Sequence, residues 1–543
     1  MVSHHLALLS LILFVWIVPY SAQPGKLKLD KLIDQLPKGN DGKPLKGRAL
    51  FKKLNQKAFE KDGRNISEVD AIADYLAAMK PNAEKKFKAA NKAHYLKNKA
   101  KIDKNIAEAQ KLKPMPVPDA APLSFDQINK ALGLDEVLVE GDIFMDLKNA
   151  KARFEGGQNA PAPRSKRQAF LNQNYPQTIF SNGFYYYFDP ELNEKARSAV
   201  QQAIAFFEAQ TCIRFHQVDP NSSPVTPVIR FYPGSGCFSP VGRQLEGQTQ
   251  SVSLGAGCET MSLTAHEIAH SLGIFHEQSR YDRNNYIYVD ENNIQDGQAS
   301  NFNMESEATN NNYGIQYDFR GNTHYAAKAF PKDPNNFVMI ANNPLYQMTI
   351  GGSNVPVFSD IYELNLHYKC TDACANSPTA CQYGGYPNPN NCAVCLCPSG
   401  TGGDDCSALQ PPSAGLSCGT TLSATSDWQT LEVSNTVGNG VQQVTDYTDP
   451  ALCTWHITAQ PGEKIQWSVQ YIGLNNNGSS LCYDQCTYGG LSIKGLEPTW
   501  NVEGIRYCCP AQNNVPVTSN SNIVMVQAWN NFYYTDFSLQ YKT

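Results

Sequence analysis

A chain of 543 residues is too long for one hydrophobic core, so domain sizes predict three or four folded units. Charged residues make up 17% of it and the net charge is −5, a balance that excludes a strongly basic nucleic-acid binder. All 16 cysteines lie between Cys212 and Cys509, which sets a cysteine-free first part against a cysteine-dense last third.

In chain order, Leu6 to Val18 is an apolar run too short to span a bilayer, followed by Pro19, Tyr20, Ser21 and Ala22. Residues 1–22 therefore read as a signal peptide, and no later stretch is apolar for long enough to cross a membrane. A secreted, extracellular product is expected, and the even cysteine count suits an oxidising destination. Asn65, Asn221 and Asn477 each begin an N-x-S glycosylation sequon.

Residues 23–167 hold 30 Lys plus Arg against 19 Asp plus Glu, whereas residues 168–543 hold 15 against 31. A basic leader precedes an acidic body, and the opposite signs either keep each part soluble or help the two dock. From Gly25 to about Lys113 the leader is rich in Lys, Ala, Asn and Leu, which predicts solvated helices, Glu68 to Met79 among them. Pro114, Pro116, Pro118 and Pro122 interrupt the pattern. Arg164, Ser165, Lys166 and Arg167 form an R-x-K-R site just after Pro161 and Pro163, so a proprotein convertase is expected to cut after Arg167.

From Gln168 the composition is that of a mixed α/β enzyme. Leu192, Ala196, Ala199, Ala203 and Phe207 recur at helical spacing, which predicts an amphipathic helix from Pro190 to about Ala209. Val228 to Tyr232 and Ser251 to Leu254 read as strands, and the section closes at Cys370. Six cysteines between residues 374 and 406 predict a disulfide-held module over 371–407. A Pro-containing linker covers 408–417, and alternating residues over 418–543 predict a β-sandwich.

The chemistry lies in Thr264 to Arg280, TAHEIAHSLGIFHEQSR. His266 and His270, four apart on a helix, project from one face and can hold one metal ion. Glu267 stands next to the first of them, placed to act as general base on an attacking water. Gly273 permits a sharp turn that brings His276 back as a third ligand. Three neutral imidazoles leave one position open, the mark of a catalytic zinc site, with one Zn2+ expected per subunit.

HEIAHSLGIFHEQSRYDR resembles the signature of the astacin family of metzincins, and the likeness runs over residues 168–370, including GCFSPVGR at Gly236 to Arg243 and TIGG at Thr349 to Gly352. It implies a two-lobed catalytic domain with a zinc cleft, and disulfides Cys212 to Cys370 and Cys237 to Cys258. It implies that Tyr325 stabilises the oxyanion and that Glu277 anchors the N-terminus freed by cleavage. Val139, Glu140, Gly141 and Asp142 resemble the family's F-x-G-D motif, with Val for Phe, which makes Asp142 the leader's ligand to zinc and 23–167 an inhibitory propeptide. At the family's Met-turn, Thr323 replaces Met, an expected void costing about 1 to 3 kcal/mol.

The spacing of the six clustered cysteines resembles an epidermal growth factor-like module, which implies the pairs Cys374–Cys392, Cys381–Cys395 and Cys397–Cys406. Cys418 to Thr543 resembles a CUB domain with Cys418 bridged to Cys453. Cys482, Cys486, Cys508 and Cys509 are left for two further bridges, and the adjacent Cys508 and Cys509 are not expected to pair with each other.

The chain thus reads as an α+β multidomain precursor with a mostly helical leader, a metzincin-like catalytic domain, a small disulfide-rich module and a β-sandwich. The arrangement resembles the nematode branch of the family, which implies extracellular matrix or cuticle proteins as substrates and matrix contacts for the two modules. No nucleic-acid partner is expected. The rival reading, argued from Thr323, is a catalytically impaired matrix-binding protein derived from such a protease.

Overall fold

The computed structural model describes residues 26–116, 121–155, 167–170, 174–221, 223–307, 309–444, 447–474, 480–497 and 499–543. The signal segment, Pro118, the stretch from Pro161 through Lys166 and Asn477 lie outside the described residues.

The leader contributes α1 (Lys26–Asp34), α2 (Gly47–Lys61), α3 (Glu68–Leu112), α4 (Phe125–Ala131) and α5 (Leu147–Glu155). Glu68 and Asp70 in the first turn of α3 suit the positive end of its dipole. The helix does not stop near Met79 but continues through Pro81 for 45 residues. Packing outweighs the one lost hydrogen bond, since Val69, Ile72, Leu76, Phe87 and Ile102 are all buried. Asn98, at φ −121° and ψ 16°, interrupts the helical geometry of α3.

These helices lie against the body and are not solvated all round. Phe51 of α2 stacks on Phe238 of the body at 5.3 Å, and Phe144 of the leader closes the cluster, 5.5 Å from Phe51 and 6.0 Å from Phe238. Asn55 donates to Ser235 Oγ (2.8 Å), while Asn91 and Asn105 of α3 donate to the carbonyls of Val289 and Asn342 (3.0 Å each). Lys57 pairs with Glu191 at 2.6 Å and Lys61 with Asp189 at 2.8 Å. Of the two readings of the charge asymmetry, docking has direct contacts behind it.

The catalytic section opens with β1 (Arg167–Phe170), β2 (Phe184–Phe188), α6 (Glu194–Gln210), β3 (Phe215–Gln217), β4 (Val228–Tyr232), β5 (Cys237–Phe238), β6 (Thr249–Leu254) and α7 (Met261–Ser271). Helix α6 starts at Glu194 and not at Pro190, because Asn193 caps it by accepting from the Ala196 N–H. The strands form a sheet in the order β3-β2-β4-β6-β5, parallel except for β5, which is antiparallel at one edge. The second lobe is built from short turns around β7 (Ile287–Val289), β8 (Asn310–Asn311), β9 (Met339–Ala341) and α8 (Phe358–His367).

Behind it, β10 (Tyr386–Asn388) pairs with β11 (Asn391–Leu396), and β12 (Thr401–Gly402) with β13 (Ala408–Leu409). The linker therefore begins after Leu409. The disulfides are Cys212–Cys370, Cys237–Cys258, Cys374–Cys392, Cys381–Cys395, Cys397–Cys406, Cys418–Cys453, Cys482–Cys509 and Cys486–Cys508.

The described strands between residues 421 and 542 form two facing sheets, one of five strands and one of four, around Trp455, Trp467, Val469, Leu491 and Phe537. This sandwich packs on the second lobe. The Arg506 N–H donates to Thr349 Oγ1 (3.0 Å), the Thr349 hydroxyl donates to the Gly504 carbonyl (3.2 Å), and the Tyr346 hydroxyl donates to Glu497 (2.7 Å). No described helix is long and apolar enough to cross a membrane.

Candidate metal centre

Helix α7 starts cleanly because Thr260 Oγ1 accepts from the Leu263 N–H at 3.3 Å. It ends at Ser271, and the chain turns at Gly273, whose φ of +104° suits glycine. Space demands glycine there too, since a Cβ would lie 2.9 Å from Nε2 of His367. The turn carries the chain back so that His276 faces His266 and His270.

In each imidazole Nδ1 has its own acceptor: the Asn322 carbonyl for His266 (3.0 Å), the Ile274 carbonyl for His270 (2.7 Å) and the Glu140 carboxylate for His276 (2.9 Å). These bonds leave every Nε2 bare and aimed inward. Asp142 Oδ2 lies 2.9 Å from Nε2 of His266, 3.3 Å from that of His276 and 3.6 Å from that of His270. All four ligand atoms fall within 4.8 Å of one another and all four residues are buried. Three imidazole nitrogens and a carboxylate, with ligand separations near the ~3.4 Å edge of a tetrahedron of 2.0–2.1 Å bonds, fit zinc. Oδ1 of Asp142 is buried 3.3 Å from Nε2 of His276 without hydrogen-bond alignment. Burial would raise the Asp142 carboxyl, but the facing His276, His270 and His266 hold it well below the usual carboxylate range.

Asp142 is delivered by a hairpin in which Val139 and Ile143 exchange two backbone bonds of 2.9 Å, with Glu140 and Gly141 at positive φ between them. The hairpin then runs parallel to the sheet edge beyond β5: the Ser239 N–H donates to the Asp142 carbonyl and the Phe144 N–H to the Ser239 carbonyl, both at 3.1 Å. The Asn129 amide locks this register. Its Nδ2 donates to the carbonyls of Gly141 (2.9 Å) and Cys237 (2.6 Å), and its Oδ1 accepts from the Cys237 N–H (2.9 Å). Any side chain at Gly236 would collide with it, a Cβ coming within 2.1 Å of Oδ1.

Glu267 is fully buried and neither carboxylate oxygen has a hydrogen-bond partner among the described residues. Burial, and secondarily the charge of Asp142, push its carboxyl well above the ordinary range. The Tyr325 ring stands 4.7 Å from that of His276, and its hydroxyl donates to the Glu140 carbonyl at 2.5 Å. Glu277 accepts from Arg280 (3.1 Å) and from the Asp318 N–H (2.8 Å), and burial raises it to about 7 despite that arginine.

Thr323 is buried and its hydroxyl has no partner among the described residues. Its neighbours hold the turn instead, Asn322 through His266 and His324 through the Tyr317 hydroxyl at 2.6 Å. Asn65 and Asn221 are exposed.

Sequence reasoning assigned no role to four residues that shape the site. Glu140 accepts from His276 and from the Ser279 hydroxyl (2.9 Å each), Arg153 bridges Glu140 to Glu305, Phe125 covers the centre 4.8 Å from the His266 ring, and Asn129 fixes the hairpin. Glu140 stood inside the motif, but nothing in its spacing says that it faces His276.

The profile of the Astacin peptidase family matches residues 172–369. Zinc metalloproteinase nas-31 of Caenorhabditis elegans is 36% identical over 420 residues, covering 77% of this chain and 65% of that protein. Zinc metalloproteinase nas-29 of the same organism is 31% identical over 437 residues, covering 78% of each. The chain spans 65% and 64% of the lengths of nas-31 and nas-32. Among solved structures, High choriolytic enzyme 1, a hatching enzyme zinc-protease from the medaka Oryzias latipes, shares 27% identity at a TM-score of 0.32, covering 39% of this chain and 99% of that one.

Proposed function

This chain belongs to the astacin family of peptidases, and from that premise we propose that it is the secreted, latent precursor of a zinc metalloendopeptidase acting on extracellular proteins. The observation that carries the reading is the Asp142 carboxylate set against the three bare Nε2 atoms of His266, His270 and His276. Held there, zinc would supply Lewis acidity for a scissile carbonyl and its attacking water.

In the precursor Asp142 fills the position that the water needs, and Phe125 and the hairpin fill the space that a substrate needs. Cleavage after Arg167 starts the leader's removal. Glu267, unpaired and dry, then takes the proton of the attacking water and passes it to the leaving amine. Tyr325, freed from the Glu140 carbonyl, turns its hydroxyl to the developing oxyanion. Glu277 accepts the new N-terminus through solvent. The growth factor-like module and the CUB-like sandwich direct the enzyme to matrix or cuticle proteins.

Thr323 favours a second reading, a protein that binds matrix without turnover, because its buried hydroxyl leaves the floor of the site polar and unpaired. Zinc content and casein cleavage, measured before and after convertase treatment beside Glu267→Ala, separate the two. The protease reading expects stoichiometric zinc, cleavage by the processed wild type alone, and a loss of at least about 100-fold in Glu267→Ala. Zinc with an inert processed chain favours the second.

A further inference from the structure

We propose that the terminal β-sandwich is a second docking site for the leader, so that cutting the chain after Arg167 leaves the leader seated until its contact at Met115 lets go. This rests on the reading of the leader as a removable inhibitor.

Helix α3 ends at Leu112, and Lys113 turns the chain in the left-handed region at φ 42°, a conformation that costs a lysine energy and is held by the contacts of Met115. Pro114 and Pro116 flank Met115. Neither proline has an N–H, so Met115 owns the one backbone donor of that tripeptide. It donates to the Cys482 carbonyl at 2.8 Å, and the Asp484 N–H returns a 2.8 Å bond to the Met115 carbonyl, a parallel bridge opposite Tyr483. The Leu112 carbonyl oxygen rests 3.4 Å from Sγ of Cys482. Met115 is 40% exposed, and its backbone makes the contact through a single isolated bridge.

The receiving segment is tied at two points. Cys482 is tied to Cys509, beside the turn Pro510–Gln512 that α3 passes, and the Asp484 carboxylate is gripped by Lys328 of the catalytic domain at 2.9 Å. The end of α3 thus sits where leader, catalytic domain and sandwich meet. Along the same helix Asn91 and Asn105 hold the second lobe, and farther on Asp142 fills the metal centre. Contacts carried on one chain act as linked binding sites: while one holds, a second that opens re-forms at high effective concentration. The cut after Arg167 breaks none of them.

The test uses the full chain as wild type, Met115→Ala and Met115→Pro, each cut with a convertase, and follows separation of leader from body by size-exclusion chromatography over time. Met115→Ala keeps both backbone bonds and is expected to release the leader at the wild-type rate. Met115→Pro removes the donor and is expected to release it about tenfold faster or more. Equal rates in wild type and Met115→Pro, or equal acceleration in both variants, overturn the proposal. If Met115→Pro is not secreted, hydrogen exchange on the cut wild type decides: protected Met115 and Asp484 amides are expected, and exchange at unstructured rates overturns it. A chain that the convertase leaves intact on a gel defeats the activation reading instead, and exchange on the uncut chain still tests the docking.

Discussion

Two surfaces of the catalytic domain are covered, one by the leader and one by the terminal sandwich, and they are built differently. The leader has no cysteine and meets the body through buried amides (Asn55, Asn91, Asn105, Asn129) and through ion pairs such as Lys57–Glu191 and Lys148–Glu246. The sandwich is internally stapled and meets the body through hydroxyl and backbone bonds at Thr349, Tyr346 and Gly504 and through the largely buried pair Lys328–Asp484. A neutral amide can be satisfied by water after separation, so each contributes only about 1 kcal/mol net, and the exposed ion pairs are screened by solvent. The contrast is what the proposed precursor requires of a cover that comes off and a cover that stays.

Four measurements break or sharpen this contrast. The largest effect is expected from Cys212→Ser with Cys370→Ser, which opens a link across 158 residues. The chain-entropy model gives about 5 kcal/mol, seen as a large drop in the melting temperature of the processed body by calorimetry. Asn129→Ala comes next, leaving the Cys237 N–H and two carbonyls unpaired beneath the hairpin. A loss of about 3 kcal/mol, or roughly 100-fold in affinity, is expected when isolated leader is titrated as inhibitor of the processed enzyme.

Acid comes third. Burial lowers His367 from 6.5 to about 3, so the folded body binds fewer protons than the unfolded chain. Stability is fully present above pH 6.5 and is lost as pH falls towards 3, by about 2 kcal/mol at pH 5. Melting temperatures against pH check it, and His367→Gln should flatten the slope. The smallest effect is that of salt on the leader: raising it from about 0.05 to about 0.5 M should weaken inhibition by added leader less than about threefold, because Lys57–Glu191 and Lys148–Glu246 are exposed. A tenfold change would mean that charge, not the amides, does the docking.

Much of this was legible locally. Four-residue spacing reads as two imidazoles on one helical face, and that is how α7 presents His266 and His270. Strand Val228–Tyr232 is β-branched and aromatic apart from Arg230, and the structure starts and ends it at those positions. The features that escaped depend on distant partners. Proline at 81 signals a break, and burial along the helix, including Phe87 against Phe302 of the body at 6.4 Å, overrides it. Pro190 looked like a helix start because the capping strength of Asn193 is settled by geometry. The roles of Glu140 and Asn129 are set by residues 136 and 108 positions away, a separation no local pattern encodes.

Helix α3, at 45 residues, is a rod about 67 Å long. A rod transmits torque, so prising up either end strains the other, and the leader resists peeling residue by residue. Asn98 is where that stiffness fails, with its amide turned to the His94 carbonyl at 3.1 Å and its backbone out of helical register. The rod is therefore jointed. Its two arms, one carrying Asn91 and the other Asn105, can lift in turn, which divides one tall barrier to departure into two lower ones.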